Sequence, residues 1–301
     1  MKIKFTKMQG CGNDYVYING FVEKIPQEDK PDIVRKISDR HFGIGSDGAI
    51  FINPTDEADF EMEMYNADGT RSEMCGNGIR CVGKYVYDHH MTDHTEITVV
   101  SAGKIKYLSL TVTDGTVSQV CVNMGEPVLN ASEVPVDLSK SGLSDAYAEW
   151  KDNGSKQAYP DAVIDQPIVV QNKKYNMTCV SMGNPHAVVF MTGVDELDIN
   201  AVGPYFEDHP AFPKRTNTEF VEIIDDSHIK MRVYERGTGE TLACGTGCCA
   251  SVAACILNHK TKDEVSVSVL GGTILVKWDR DTNQIYMTGP AETVFEGEID
   301  V

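Results

Sequence analysis

Polar and apolar residues alternate or cluster over short lengths through most of this chain. Residues 60–65, 96–100, 105–112, 228–234, 264–269 and 273–278 are runs of this kind, and the pattern predicts strands with one buried face. Two stretches break it: residues 79–88 and 248–257 predict one helix each. The helices follow a pattern used twice. Tyr65-Asn-Ala-Asp-Gly-Thr-Arg-Ser-Glu-Met-Cys75-Gly-Asn-Gly78 matches Tyr234-Glu-Arg-Gly-Thr-Gly-Glu-Thr-Leu-Ala-Cys244-Gly-Thr-Gly247 at an offset of 169, and Gly12-Asn13-Asp14 matches Gly183-Asn184-Pro185 at 171. A strand precedes each cysteine, a helix follows it, and strands return afterwards. Such a repeat implies one supersecondary unit built twice. The expected fold is α+β, with two pseudo-symmetric lobes, each a curled, mostly antiparallel sheet around a central helix. The first lobe is expected over residues 1–125 and the second over 178–301, with a crossing of the last strands to the first lobe left open. Residues 126–177 form the boundary region. Within it, 130–160 is rich in Ser, Asp, Glu and Pro, which reads as a surface excursion or a short added element, with Trp150 available to pin it.

Charge narrows the function classes. With 27 Lys+Arg against 45 Asp+Glu the formal charge is -18, and no basic footprint for nucleic acid is concentrated anywhere. Acidic residues such as Glu28, Asp29, Asp32, Glu57 and Asp59 read as solvated surface. No apolar run is long enough for a signal peptide or a membrane span, so a cytoplasmic location is expected. The nine cysteines show neither a Cys-x-x-Cys pair nor a disulfide framework, and reduced thiols are expected. Cys81, Cys121, Cys179 and Cys255 sit among apolar neighbours and read as small buried hydrophobes.

Cys75 and Cys244 stand apart because each precedes glycine at the expected first turn of a helix. Gly76, Gly78, Gly245 and Gly247 leave backbone N–H groups accessible. The helix start is expected to lower the thiol pKa, and the same N–H groups can bind a carboxylate. Two such turns in two related lobes suit inversion of a stereocentre better than nucleophilic catalysis. One thiolate removes a proton from one face and one thiol supplies a proton to the other. Without a delocalising cofactor, the charge developing on the substrate carboxylate must be met by preorganised donors, each contributing roughly 3–4 kcal/mol. Asn77, Gly78, Gly245 and Thr246 are the candidates. No metal-binding spacing is present. Gly43-Ile-Gly-Ser-Asp-Gly48 only loosely resembles a dinucleotide loop and reads as a turn between strands.

The combination of Gly12-Asn13-Asp14, Met74-Cys75-Gly76-Asn77-Gly78-Ile-Arg80, Met182-Gly183-Asn184-Pro185-His186, Arg215-Thr-Asn217, Tyr234-Glu235-Arg236-Gly237 and Ala243-Cys244-Gly245-Thr246-Gly247 resembles the diaminopimelate epimerase family. The resemblance implies interconversion of LL- and meso-2,6-diaminoheptanedioate for lysine and cell-wall precursor synthesis. It also implies no pyridoxal phosphate, no metal, and a homodimer acting on a small diamino-dicarboxylate. Cys75 and Cys244 match the acid/base pair. Asn13, Asn66, Asn184, Asn217, Glu235 and Arg236 match the residues holding the two amino-acid ends of the substrate, and the backbone at Gly76-Asn77 and Gly245-Thr246 matches the carboxylate cradle. His186 falls beside the pocket, with supporting, packing and catalytic roles all open. Gly48 stands where many members carry Gln, which bears on substrate range. The competing readings are another cofactor-independent racemase on the same fold, a phenazine-synthesis-type isomerase and a non-enzymatic binding module. The two matched thiols argue against the last two.

Overall fold

The computed structural model describes residues 1–72, 75–142 and 158–301; Trp150 lies outside them. The chain divides into two compact units, Met1–Asn123 with Thr288–Val301 and Met124–Met287.

The first unit is built from β1 (Lys2–Gly10), β2 (Asn13–Asn19), α1 (Lys30–Ser38), β3 (Gly48–Asn53), β4 (Phe60–Asn66), β5 (Arg71–Ser72), α2 (Gly76–Asp88), β6 (Glu96–Ser101), β7 (Lys104–Thr113) and β8 (Thr116–Gly125). β1 and β2 pair antiparallel, β2 and β3 parallel, β3 and β4 antiparallel, and β4 and β6 parallel. β6, β7 and β8 complete the series as an antiparallel meander. Ten of the thirteen α2 residues are buried, and the helix packs against β1, β2 and β7. Covering Ile79, Val82 and Val86, all 0% exposed, contributes about 1.5–3 kcal/mol each.

The second unit repeats the order with β9 (Gln166–Val170), β10 (Lys173–Ser181), β11 (Pro185–Phe190), α3 (Ile199–Glu207), β12 (Asn217–Asp225), β13 (His228–Glu235), β14 (Gly239–Thr241), α4 (Gly245–Leu257), β15 (Glu264–Val269), β16 (Gly272–Asp279) and β17 (Gln284–Gly289). The β11–β12 pair is parallel, β12–β13 antiparallel and β13–β15 parallel, as in β2–β3–β4–β6. Twelve of the thirteen α4 residues are buried, which suits its run of Cys, Ala and Ser. Small side chains let strands approach a helix that is covered nearly all round. The last strand, β18 (Glu292–Asp300), belongs to the first unit, where it pairs antiparallel with β1 from Lys2↔Asp300 to Gln9↔Glu292. In the second unit β9 takes that place beside β10.

Several expectations need correction. Among the described residues, each unit shows a second, short helix besides the central one. α1 and α3 have nine residues each; Pro31 lies in the first turn of α1, and Pro204 lies inside α3. Proline favours a helix start but disrupts an interior, which masks so short a periodicity. α1 is fastened from below: the Lys30 ammonium lies 2.5 Å from the Glu63 carboxylate on β4. Burial pushes the Glu63 carboxyl up, yet hydrogen bonds from Gln27, Lys30 and Tyr65 outweigh it and bring it down to about 2. Residues 43–47 join α1 to β3, not one strand to another. Val134, in the supposed surface excursion, is 1% exposed and packs in the core of the second unit, because one β-branched side chain suffices to dock a polar segment. Cys121 is only half-buried, unlike Cys81, Cys179 and Cys255. No helix among the described residues is long and apolar enough to cross a membrane.

Candidate functional site

Each central helix begins on its cysteine. Cys75 and Cys244 are the N-cap residues of α2 and α4, both with extended backbone at φ -128°, ψ 114° and φ -116°, ψ 110°. Their sulfurs accept the N–H of Gly78 at 3.2 Å and of Gly247 at 3.4 Å. An N-cap side chain ordinarily supplies oxygen to one of the unpaired N–H groups of the first turn; here sulfur takes that position. Close packing favours glycine three residues on. A Cβ at 78 would stand 2.7 Å from Ile50 Cδ1, and one at 247 would stand 2.7 Å from Glu219 Oε1 and 3.3 Å from Cys244 Sγ. The two helices start at Gly76 and Gly245, the glycines expected at their first turns, ahead of the apolar runs from 79 and 248.

In the first unit, Cys75 donates its S–H to Asn13 Oδ1 at 3.0 Å. Asn13 is held by Asp47, whose Oδ2 accepts from Asn13 Nδ2 at 2.7 Å. Arg40 donates to both Asp47 and Asp14, and Lys7 pairs with Asp14 at 2.6 Å. Because a carboxylate only accepts, this chain of contacts settles which end of the Asn13 amide faces the sulfur. Asn66 ends β4, opposite Gly48, and its Nδ2 donates to Thr70 Oγ1 at 3.1 Å; the next N–H, of Ala67, goes to Asp47 O. Asn77 is 2% exposed, and its Oδ1 accepts from Arg80, a fully buried arginine that also donates to Gly76 O and Pro290 O. The Asn77 side chain is thus turned into the unit beneath its own backbone N–H.

In the second unit, side-chain contacts link Asn184 to His186, Asn217 to Arg236 and Cys244 to Thr246. Asn217 is 4% exposed; its Nδ2 donates to Pro185 O and its Oδ1 accepts from Arg236 N. Its amide ties β11, β12 and the β13 turn together. Arg236 is exposed, and its guanidinium donates to Lys214 O at 3.0 Å. Glu235 accepts from Thr241 Oγ1, and its charge bears on the Cys244 thiol. The Thr246 hydroxyl lies 3.4 Å from Cys244 Sγ.

The electrostatics overturn one expectation. Burial pushes the Cys244 thiol well above its ordinary pKa, and the charges of Glu235 and Glu219 push it the same way; Thr246 and the Gly247 N–H pull down and lose. The helix start alone does not make this sulfur a thiolate, because its pull is confined to one turn while desolvation and two carboxylates oppose ionisation. Burial also raises the Glu235 carboxyl. Two groups were missed in the sequence: Asp47 behind Asn13, and Glu219, which is 0% exposed and 2.7 Å from His186 Nδ1. A lone acid within Asn217-Thr-Glu219-Phe-Val, the buried first half of β12, is the signal that could have found the second. Among the described residues no group of three or more His, Cys, Asp or Glu is placed to hold a metal ion.

Comparison with known proteins places these features in one family. A sequence model of diaminopimelate epimerase matches residues 5–130 and 178–294. The diaminopimelate epimerase of Agathobacter rectalis is 55% identical over 300 residues, 99% of this chain and 100% of that one. That of Methanococcus maripaludis is 50% identical over 299 residues, again 99% and 100%. Among solved structures, a phenazine biosynthesis protein of the PhzF family from Bacillus anthracis superposes with a TM-score of 0.69 at 15% identity, covering 100% of both chains. A hydroxyproline epimerase from Agrobacterium vitis gives 0.66 at 14%, covering 99% of this chain and 91% of the other. At such identities these two share the fold alone. By family model and by relatives identical at half their positions along nearly the whole length, the chain belongs to the diaminopimelate epimerase family.

Proposed function

We propose that this chain is a pyridoxal-phosphate-independent isomerase that interconverts LL- and meso-2,6-diaminoheptanedioate, with Cys75 and Cys244 as its acid/base pair. The carrying observation is the matched pair of N-cap cysteines, each with its sulfur on the N–H three residues along, in a chain 55% identical to a diaminopimelate epimerase. One cysteine, as thiolate, takes the α-proton and forms an S–H bond; the other gives its proton to the opposite face of the same carbon and becomes the thiolate. The C–H bond is remade inverted, and the reverse reaction exchanges the roles.

The N–H groups at Gly76-Asn77 and Gly245-Thr246 receive the carboxylate beside the reacting carbon, where negative charge grows in the transition state. Asn13, Asn66, Asn184, Asn217 and Arg236 hold the substrate's amino-acid ends, and Glu235 meets an ammonium or the Cys244 proton. Recognition of the far amino-acid end rejects shorter amino acids, which would leave these polar groups unmatched. The product serves lysine and cell-wall precursor synthesis. A reducing cytoplasm suits a reaction that needs free thiols, and Val294 and Phe295, 55% and 45% exposed on β18, offer apolar contact for the homodimer that the resemblance implies.

The test incubates reduced protein with LL-diaminopimelate in D₂O without pyridoxal phosphate. Meso product carrying α-deuterium is expected, and Cys75→Ala or Cys244→Ala should each lower interconversion by at least about 100-fold, the lower end of acid/base contributions, with circular dichroism unchanged. Turnover of a different amino acid in place of LL-diaminopimelate, or full inversion by either variant, would overturn the reading.

A further inference from the structure

Glu219 has no role in the reaction as read so far, yet its placement is costly. It is 0% exposed on β12, beside the start of α4. One of its oxygens, Oε1, lies 2.7 Å from His186 Nδ1, whereas Oε2 is buried with no hydrogen-bond partner. A carboxylate so placed disfavours folding unless something else needs its charge. The repeat shows that the fold does not require it. At the offset of 169 the first unit has Ile50, whose Cδ1 meets the Gly78 position as Glu219 Oε1 meets Gly247.

What Glu219 touches connects it to the substrate residues. His186 is 0% exposed, and its other ring nitrogen, Nε2, lies 2.9 Å from Asn184 Oδ1. Two oxygens thus flank one ring, and the ring donates to both when each nitrogen carries a proton. With Oδ1 engaged by the ring, the Asn184 NH₂ is turned away from it and left to donate. Asn13, the counterpart of Asn184 at the offset of 171, is turned the other way: its NH₂ is held by Asp47, and its Oδ1 faces the Cys75 thiol. The two related asparagines are therefore presented with opposite polarity, one by a carboxylate directly and one by a carboxylate acting through histidine.

We propose that Glu219 is a positioning residue that keeps both ring nitrogens of His186 protonated, and through that ring fixes the Asn184 amide as a donor toward the substrate. The inference rests on Asn184 and Cys244 serving the epimerisation described above. The titratable groups that face this cluster are Glu219 on β12, His186 on β11, Glu235 at the end of β13, Cys179 on β10 and Cys244 at the cap of α4. The charge of Glu219 adds to burial in raising both cysteines. On the Cys244 thiol its charge comes after burial and Glu235, so its distinct action is to set the polarity of a binding amide.

The test is Glu219→Gln, which keeps the side chain's size and an acceptor for Nδ1–H but removes the charge. In ligand-free protein labelled with ¹⁵N-histidine, the His186 signal, assigned by its loss in His186→Gln, should show both ring nitrogens protonated at neutral pH. In Glu219→Gln the second proton should leave at a pH at least about one unit lower, a tenfold change in its binding. kcat/KM for LL-diaminopimelate should fall roughly 10- to 100-fold, the range for hydrogen bonds to charged groups, with a displaced pH profile. A His186 ring with a single proton in the unmodified protein, or a titration and pH profile untouched by Glu219→Gln, would overturn the proposal. Should the unmodified protein fail to make the meso isomer while the His186 titration still moves with Glu219, the proposed reaction falls and the role of Glu219 on His186 stands.

Discussion

Cys244 is a thiol by circumstance: burial raises it first, and Glu235 and Glu219 add to that. A raised thiol pKa means the neutral form persists through neutral pH and ionises only in more alkaline solution. Alkylation of Cys244 by iodoacetamide, followed peptide by peptide in the ligand-free protein, should therefore stay slow at pH 7 and rise only well above pH 9. Glu235→Gln removes the largest neighbouring charge, so the curve should move to lower pH, with alkylation at pH 8 about tenfold faster for each unit of displacement. An unmoved curve would remove Glu235 from the account. The two cysteines were legible in the sequence because glycine at the following turn is a local, chemically readable pattern. The direction of the Cys244 shift was not, because it depends on burial and on a carboxylate brought in from a neighbouring strand.

Elements of the repeat were legible wherever periodicity ran long enough. The strands 60–66 and 228–235 and the two central helices stand where alternation and its interruption predicted them; the nine-residue α1 and α3 were invisible behind their prolines. Gly48 shows the same limit in another form. The family resemblance sets this glycine against a glutamine in many members, but only the register gives the reason it matters. Gly48 opens β3 opposite Asn66, and a Cβ there would lie 2.0 Å from the Tyr65 carbonyl oxygen. A side chain cannot be restored at this position without displacing β4, whose last residue is Asn66. Gly48→Ala should therefore cost about 1–3 kcal/mol, as overpacking does, and raise KM for the substrate. Urea denaturation and steady-state kinetics read the two effects, and an unchanged midpoint would show that β4 yields freely at that point.

For the molecule as a whole, the repeat foretold two related halves and left open a crossing of the last strands to the first lobe; the chain does return at its end to complete the first unit. Alternation in residues 292–300 is weak, since most of β18 is exposed, and pairing with a strand at the opposite end of the sequence leaves no local trace. The pairing carries weight: β18 meets nearly all of β1, and Lys2 is 2.7 Å from Glu298. Deleting residues 288–301 should destabilise the first unit selectively, so that hydrogen exchange accelerates in β1 and β2 while β10, β11 and α4 keep their protection. Equal protection in both halves would show that β18 is dispensable.

This arrangement also reverses the order of assembly relative to the order of synthesis. At about 5–20 residues per second, β1 leaves the ribosome roughly 15–60 seconds before its partner strand exists, and during that interval one of its edges is open to any other extended chain. Lys2 and Lys4 stand exposed on that strand, and lysine is a side chain that discourages edge-to-edge pairing. The ammonium of Lys2, tied to Glu298 in the finished protein, thus first guards a nascent strand against the wrong neighbour.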